Sequence, residues 1–209
     1  MPTDPLAHLF PTPVILHATD VRLVPLSLSH AADLYAVGQD EDVWRWLPAA
    51  APSSLEEMER WIASALAVQE RGDDVPFAVV LRANGRAIGS TRYTHIEAAH
   101  RHLDIGWTWY GRAYWRTEVN TECKYLLLRH AFETLGCVRV GFTTDLRNER
   151  SQRAIERLGA VKEGVLRKYR VVPKDGYVRS SVMYSIVDDD WPTVKARLTA
   201  MLNEHGKGI

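Results

Sequence analysis

The sequence is short of cysteine, of unbalanced charge and of long apolar runs, and each shortage excludes something. Two cysteines, Cys123 and Cys137, are too few for a disulfide framework, and both lie in segments that read as core. That pattern fits a reducing compartment and leads us to expect a cytoplasmic protein. Lys and Arg number 26 against 26 Asp and Glu, which argues against a general polyanion binder and leads us to expect no nucleic-acid partner. No apolar run approaches the roughly 20 residues that cross a bilayer, so no membrane partner is expected either. Met1-Pro2-Thr3-Asp4 shows no basic patch leading into an apolar stretch, and no secretory signal is expected. What is present is ordinary for a globular chain: 46% hydrophobic and 25% charged residues in 209, enough for one generous domain.

Residues 1–20 hold four of the ten prolines without a sustained period and read as an N-terminal extension or strand-like arm. Val21 to Leu26 is a short β-rich run. Ser27 and Ser29 offer caps for a helix through Ala31, Leu34 and Tyr35, closed by Gly38. Ser53 or Ser54 caps a second helix, in which Met58, Trp61, Ile62, Ala65 and Leu66 recur at helical spacing. Pro76 to Leu81 and Ala87 to Ile96 read as strands about Asn84-Gly85, a dipeptide suited to a type I′ turn. His102 to Tyr110 reads as a strand with Leu103, Ile105, Trp107 and Trp109 on one face. Thr121 to Leu135 reads as a long helix stopped by Gly136, Val138 to Thr144 as a strand, and Asn148 to Leu158 as a helix stopped by Gly159. Val161 to Tyr169 and Tyr177 to Val187 form a hairpin about Pro173 to Gly176, and an amphipathic helix runs from about Trp191 to Leu202. This order implies an α/β (α+β) domain with a mixed sheet covered by helices on both faces.

From Asn148 the chain reads Asn-Glu-Arg-Ser-Gln-Arg-Ala-Ile-Glu-Arg-Leu-Gly-Ala-Val-Lys-Glu-Gly-Val-Leu-Arg. This stretch resembles the last helix and strand of the GNAT superfamily of N-acetyltransferases, in particular the branch of ribosomal-protein N-terminal acetyltransferases. Thr121-Glu122, opening the preceding long helix, matches a second family position. The resemblance covers roughly residues 21–188, with 1–20 as the extension and 189–209 as a C-terminal helix and tail. It implies the GNAT fold, a mixed sheet of about seven strands splayed in the middle. It also implies transfer of acetyl from acetyl-CoA to a primary amine, a protein N-terminus or a small amine, by direct attack. No metal is required. The alternative kept open is a GNAT-shaped binding or regulatory protein whose acetyl-CoA loop has degenerated.

The resemblance also assigns residues. The loop Tyr114 to Asn120 before the long helix becomes the diphosphate cradle, in which backbone N–H groups meet the anion at a helix N-terminus. Trp115, Arg116, Thr117, Glu118, Val119, Asn120 and Thr121 are its candidates. Relatives carry glycine at the positions of Arg116 and Glu118. Glycine admits close approach and positive φ, whereas Glu118 sets a carboxylate near the phosphates. The pantetheine groove runs beside the strand of Trp107, Thr108 and Trp109, where a backbone N–H holds the thioester oxygen; both tryptophans equally suit core packing. Many relatives protonate the leaving thiolate with a Tyr seven residues beyond the motif Asn, but here that position is Ile155. Ser151 is the substitute, with Asn148 orienting the nucleotide, unless Asn148 is only a helix cap and Ser151 its third helical residue. Tyr169 and Tyr114 are alternative donors. Asp104 is the candidate base, unless it is a solvated strand charge.

Two other readings compete for particular residues. His100, His102 and Asp104 recur at period two, a possible metal geometry, but three such groups near a turn suit solvated surface better. Residues 139–170 hold nine Arg or Lys and four Asp or Glu. An RNA face would add aromatic stacking residues, which are lacking, so the surplus suits CoA phosphates better, with Arg147, Arg150 or Arg153 at the 3′-phosphate. A homodimer through the C-terminal helix and the hairpin near Pro173 to Tyr177 is also expected.

Overall fold

The computed structural model describes residues 13–204, so most of the expected extension and the last five residues lie outside the described residues. One eight-stranded sheet runs in the order β1-β2-β3-β4-β5-β6-β8-β7. Its strands are β1 (Leu16–His17), β2 (Val21–Pro25), β3 (Val75–Leu81), β4 (Ala87–Glu97), β5 (His102–Tyr110), β6 (Arg139–Asp145), β7 (Val161–Val171) and β8 (Val178–Val187). Among these described strands only β5 and β6 pair in parallel. The strand beyond the expected seven is β1, where Leu16 and His17 pair with Leu23 and Arg22. The extension therefore contributes an edge to the sheet.

Alternation along the strands sends successive residues to two cores. Phe77, Val79, Ile88, Leu103 and Ile105 pack with α4 (Val119–Arg129), α5 (Glu149–Leu158) and α6 (Trp191–Glu204). Ala78, Val80 and Ala87 pack with α1 (Ala31–Val37), α2 (Glu41–Trp44) and α3 (Leu55–Glu70). In α3 the Ser54 hydroxyl accepts from Glu57 N, and Met58, Trp61, Ile62 and Ala65 are buried, as cap and spacing predict. Trp44, Trp61 and Trp109 meet with ring centroids 4.8–5.9 Å apart, in tilted and edge-on pairs. Each such aromatic contact adds about 0.5–1.5 kcal/mol beyond the area it buries. From α6, Trp191, Val194, Leu198 and Leu202 enter the first core.

Three expectations about elements are corrected. Of the turn Arg82–Gly85, only Gly85 has positive φ, at 73°, and Gly85 N donates to the Leu81 carbonyl. A type I′ turn needs two such residues, so this is a longer four-residue loop closed by Leu81 N to Arg86 O. The long helix begins at Val119, earlier than Thr121, and after Arg129 widens into a π-type turn over His130–Thr134. The Tyr93 hydroxyl donates to the Leu127 carbonyl at 2.6 Å just before that widening.

The third correction shapes the site. Gly106 faces Arg92 and Trp109 faces Ser90, so three steps of β5 span two of β4. Trp107 takes up the extra residue at φ 51°. This bulge reverses the alternation. Trp109 joins Trp44 and Trp61 in the second core, away from Leu103 and Ile105, while Tyr110 takes the first-core face. Thr108 likewise leaves the face of Asp104 and Gly106, and its hydroxyl meets Lys124 of α4.

Candidate functional site

The splay is written in the register. β5 and β6 pair only through His102–Arg139, Leu103–Val140 and Asp104–Gly141, yet β5 continues to Tyr110 and β6 to Asp145. Beyond Asp104 the two strands part and expose backbone between them. Gly141 is needed at the fork, because a Cβ there would lie 2.0 Å from Asp104 Oδ1.

The loop ahead of α4 opens from the end of β5. The Trp115 indole donates to the Tyr110 carbonyl at 2.9 Å, and two guanidiniums approach its ring, Arg150 at 3.7 Å and Arg112 at 5.4 Å. Arg112 also pairs with Asp40 and Asp42. Arg116 sits at φ 60°, the left-handed conformation that glycine adopts freely and other residues rarely do. Glu118 does not share that demand: it caps α4 at φ −73°, ψ −10°. The Thr117 hydroxyl donates to the Tyr114 carbonyl at 2.8 Å. Desolvation lowers the Arg150 pKa, and the positive fields of Arg112 and Arg116 act in the same direction. Three arginines therefore converge where a first helical turn leaves N–H groups without intrahelical acceptors.

The structure sorts the expected loop residues by what their side chains already do. Val119 is buried in the first core. Thr121 is fully buried, its hydroxyl accepting from Arg157. Asn120 Oδ1 accepts from the Tyr110 hydroxyl at 3.2 Å. These three have backbone rather than side chains to offer a ligand, and so does Trp109. Glu122, matched to the family beside Thr121, is buried and accepts from Asp20 N and Val21 N, joining α4 to β2. Thr108 lies in a hydroxyl pair with Thr91 at 2.8 Å, and Lys124 Nζ donates to Thr108 at 2.7 Å. Burial lowers the Lys124 pKa to about 8 and raises that of neighbouring Cys123 to about 12, leaving Cys123 a core thiol.

On the β6 side, Asn148 Oδ1 accepts from Ser151 N at 3.1 Å, so Asn148 caps α5. Ser151 is half-buried, and Arg150 between the two is the residue stacked on Trp115. The first turn of α5 thus abuts the loop ahead of α4. Arg153 faces out, in an exposed pair with Glu149. Tyr169 stands on edge strand β7, 46% exposed. Tyr114 packs against the first core.

Asp104 is not a solvated strand charge. Its Oδ2 lies 3.1 Å from His95 Nδ1, and Arg170 Nη2 lies 2.9 Å from His95 Nε2. Arginine only donates, so Nε2 accepts and Nδ1 carries the proton toward Asp104. The hydrogen bond to Asp104 raises the His95 pKa. Sequence reading missed His95 because only a second β4–β5 irregularity, with His95 at φ 47°, turns it to Asp104. Next to this dyad, Arg92 stacks on Trp107 at 4.4 Å and pairs with Asp74. The rings of His100 and His102 stack at 6.1 Å, and among the described residues no three His, Cys, Asp or Glu side chains group as a metal site would require. No helix among the described residues is long and apolar enough to cross a membrane.

The sheet thus splits between β5 and β6, and Arg112, Arg116 and Arg150 gather near the start of α4 beside that fork. Residues 20–161 match the family model described as acetyltransferase (GNAT) domain, and the chain belongs to the GNAT acetyltransferase family. An acetyltransferase structure from T. thermophilus is 42% identical, with TM-score 0.81, covering 92% of this chain and 98% of that one. A GCN5-related N-acetyltransferase from Brucella melitensis is 30% identical, with TM-score 0.86, covering 92% and 87%. YoaA of Bacillus subtilis (strain 168), an uncharacterized N-acetyltransferase, is 25% identical over 83% of this chain and 96% of its own length.

Proposed function

We propose that the protein transfers acetyl from acetyl-CoA to a primary amine, on a protein N-terminus or a small molecule, in the cytoplasm. The observation that carries this reading is the fork after Asp104–Gly141 with the Arg112, Arg116 and Arg150 cluster at its rim. The cluster fits a diphosphate: left-handed Arg116 opens the loop, and the first-turn N–H groups of α4 stand behind it. A related fold supports the donor, since RimJ of Mycobacterium smegmatis, 20% identical with TM-score 0.75, was solved in complex with CoA-disulfide.

Acetyl-CoA supplies an activated thioester. The residues of the chain then divide the work. Arg116 and Arg150 hold the phosphates, and Arg153 reaches outward to the nucleotide end. Backbone at the Trp107 bulge stabilises charge on the thioester oxygen. Asp104 orients His95, whose Nε2 takes a proton from the incoming ammonium once Arg170 swings aside. Ser151 passes a proton to the leaving thiolate and regains one from solvent. The amine sheds two protons, one ending on the thiolate and one in solvent.

Release of free thiol from acetyl-CoA, followed across a panel of amine acceptors, tests this. Acceptor-dependent release is the expected result. If the protein neither binds acetyl-CoA in titration calorimetry nor releases thiol, it is a binding module built on the same fold. We also propose a homodimer, relocated to β7. The two elements expected to pair are used within the chain: α6 is core, and Lys174 at the hairpin tip donates to the Trp44 and Arg45 carbonyls.

A further inference from the structure

On the side of the sheet that carries α1–α3, a pocket of about 280 Å³ opens between the loop after α2 and the β7–β8 hairpin. Pro48, Trp107, Arg170, Val171, Val172, Pro173 and Arg179 line it. Trp107 is the bulge residue at the fork, so the pocket reaches the reacting end of the groove. The hairpin is held over it by Lys174 on the end of α2 and by Arg147, whose guanidinium lies 3.5 Å from the Tyr177 ring and 5.3 Å from Trp46.

The charges in the wall do not cancel. Arg92, behind Trp107, has Asp74, and Arg147 has Asp145. Among the described residues, neither Arg170 nor Arg179 has a carboxylate within ion-pair distance. Arg170 Nη2 meets His95 Nε2, and Arg179 Nε donates to the Ser181 hydroxyl at 3.0 Å. Arg179 is 9% exposed. Asp145 attracts it from a distance while Arg170 repels it, and desolvation lowers its pKa. A nearly buried guanidinium such as that of Arg179 is costly without a counter-charge, and with the exposed Arg170 facing the same small pocket it defines an anion site.

We infer that the amine acceptor carries a carboxylate or phosphate, held by Arg170 and Arg179, which places its amine at the fork beside Trp107. This rests on the acetyltransferase reading and narrows its substrate class. It also supplies the trigger for the proton step: an anion that recruits Arg170 removes the donor from His95 Nε2 and leaves that lone pair free for the ammonium proton.

The test compares acceptors that share an amine and differ in charge: β-alanine against 3-aminopropanamide, and Ser-Asp-Ala-amide against Ser-Asn-Ala-amide. We expect kcat/KM to favour the acid by at least tenfold in one pair. A preference in the first assigns a small amino acid, and in the second an acidic N-terminus. Arg170→Gln and Arg179→Gln should each cut that preference below threefold, with the acetyl-CoA Kd unchanged. Arg179→Lys, which keeps the charge, stands in if Arg179→Gln fails to fold. Equal kcat/KM for acid and amide in both pairs, or a preference that survives in both arginine variants, overturns the inference while leaving acetyl transfer standing. A second readout needs no turnover. Without acetyl-CoA, the preferred acid should change tryptophan fluorescence saturably, its amide should not, and Trp107→Phe should abolish the change. If that holds while no amine releases thiol, the anion site stands and the acetyltransferase reading fails. No saturable change with either acid overturns the site.

Discussion

At the scale of single residues, the loop before α4 separates two positions at which the resemblance led us to expect glycine. Arg116 is left-handed and Glu118 is helical, so only Arg116 bears a conformational cost, about 1–2 kcal/mol for a residue with a Cβ. Part of the gain from Arg116→Gly is offset by the freer unfolded chain, about 0.4–1 kcal/mol. We expect Arg116→Gly to raise Tm by about 2–4 °C in calorimetry while weakening acetyl-CoA binding, since the proposed function makes Arg116 a phosphate partner. Glu118→Gly should do the opposite: no gain in Tm, and Kd for acetyl-CoA lowered at least fivefold in titration calorimetry. Ser151→Ala should lower kcat about 100-fold at nearly constant acetyl-CoA Kd, within the usual range for a general acid. A wild-type kcat would remove Ser151 from the chemistry. Lys124 gives a pH signature. Its folded-state pKa of about 8 lies below the 10.5 of the free side chain. Between those values the unfolded chain binds the extra proton, so stability rises with pH, by roughly 3 kcal/mol if the full shift is realised. Denaturant melts from pH 7 to 11 should show this rise in the wild type and not in Lys124→Met.

At the scale of elements, the β5–β6 fork joins fold to chemistry. Gly141 allows Asp104 to lie against β6, and Asp104 then reaches His95 on β4. Gly141→Ala would push the carboxylate aside, costing about 1–3 kcal/mol as an over-packed site. The informative readouts are kinetic and spectroscopic. We expect kcat to fall at least tenfold with the acetyl-CoA Kd unchanged, and His95 to titrate near its ordinary value of 6.5 in NMR. Retention of a raised His95 pKa would show that Asp104 does not govern it. Legibility in the sequence varied here. The caps at Ser54 and Asn148 and the apolar spacing of α3 were readable because they are local. The β5 bulge was not. Period-two reading assumes unbroken alternation, and one left-handed residue at Trp107 carries Thr108 and Trp109 to opposite faces from those expected.

At the scale of the whole molecule, the sheet has an uncovered end among the described residues. There β7 pairs only with β8, and Val165, Leu166, Tyr169 and Val171 on it are 39–64% exposed. A long edge strand with free backbone groups and apolar side chains invites pairing with another strand. We expect light scattering to give a dimer at micromolar concentration and Val165→Lys to give a folded monomer. A wild type that scatters only as a monomer at micromolar concentration would refute it.

Sequence alone determined the family and the order of the longer elements, though not β1 or the short α2, because helix caps, turn residues and the Asn148–Gly164 stretch are coded by neighbours in the chain. It also marked Asp104, Asn148 and Ser151. Only the tertiary structure decided what those residues touch. His95 meets Asp104 across two strands, Arg170 meets His95 from a distant hairpin, and Arg150 reaches Trp115 from another helix. Such contacts depend on strand register and on where paired strands part, which a one-dimensional pattern does not encode: a single inserted residue in β5 re-aims every side chain that follows it in the strand.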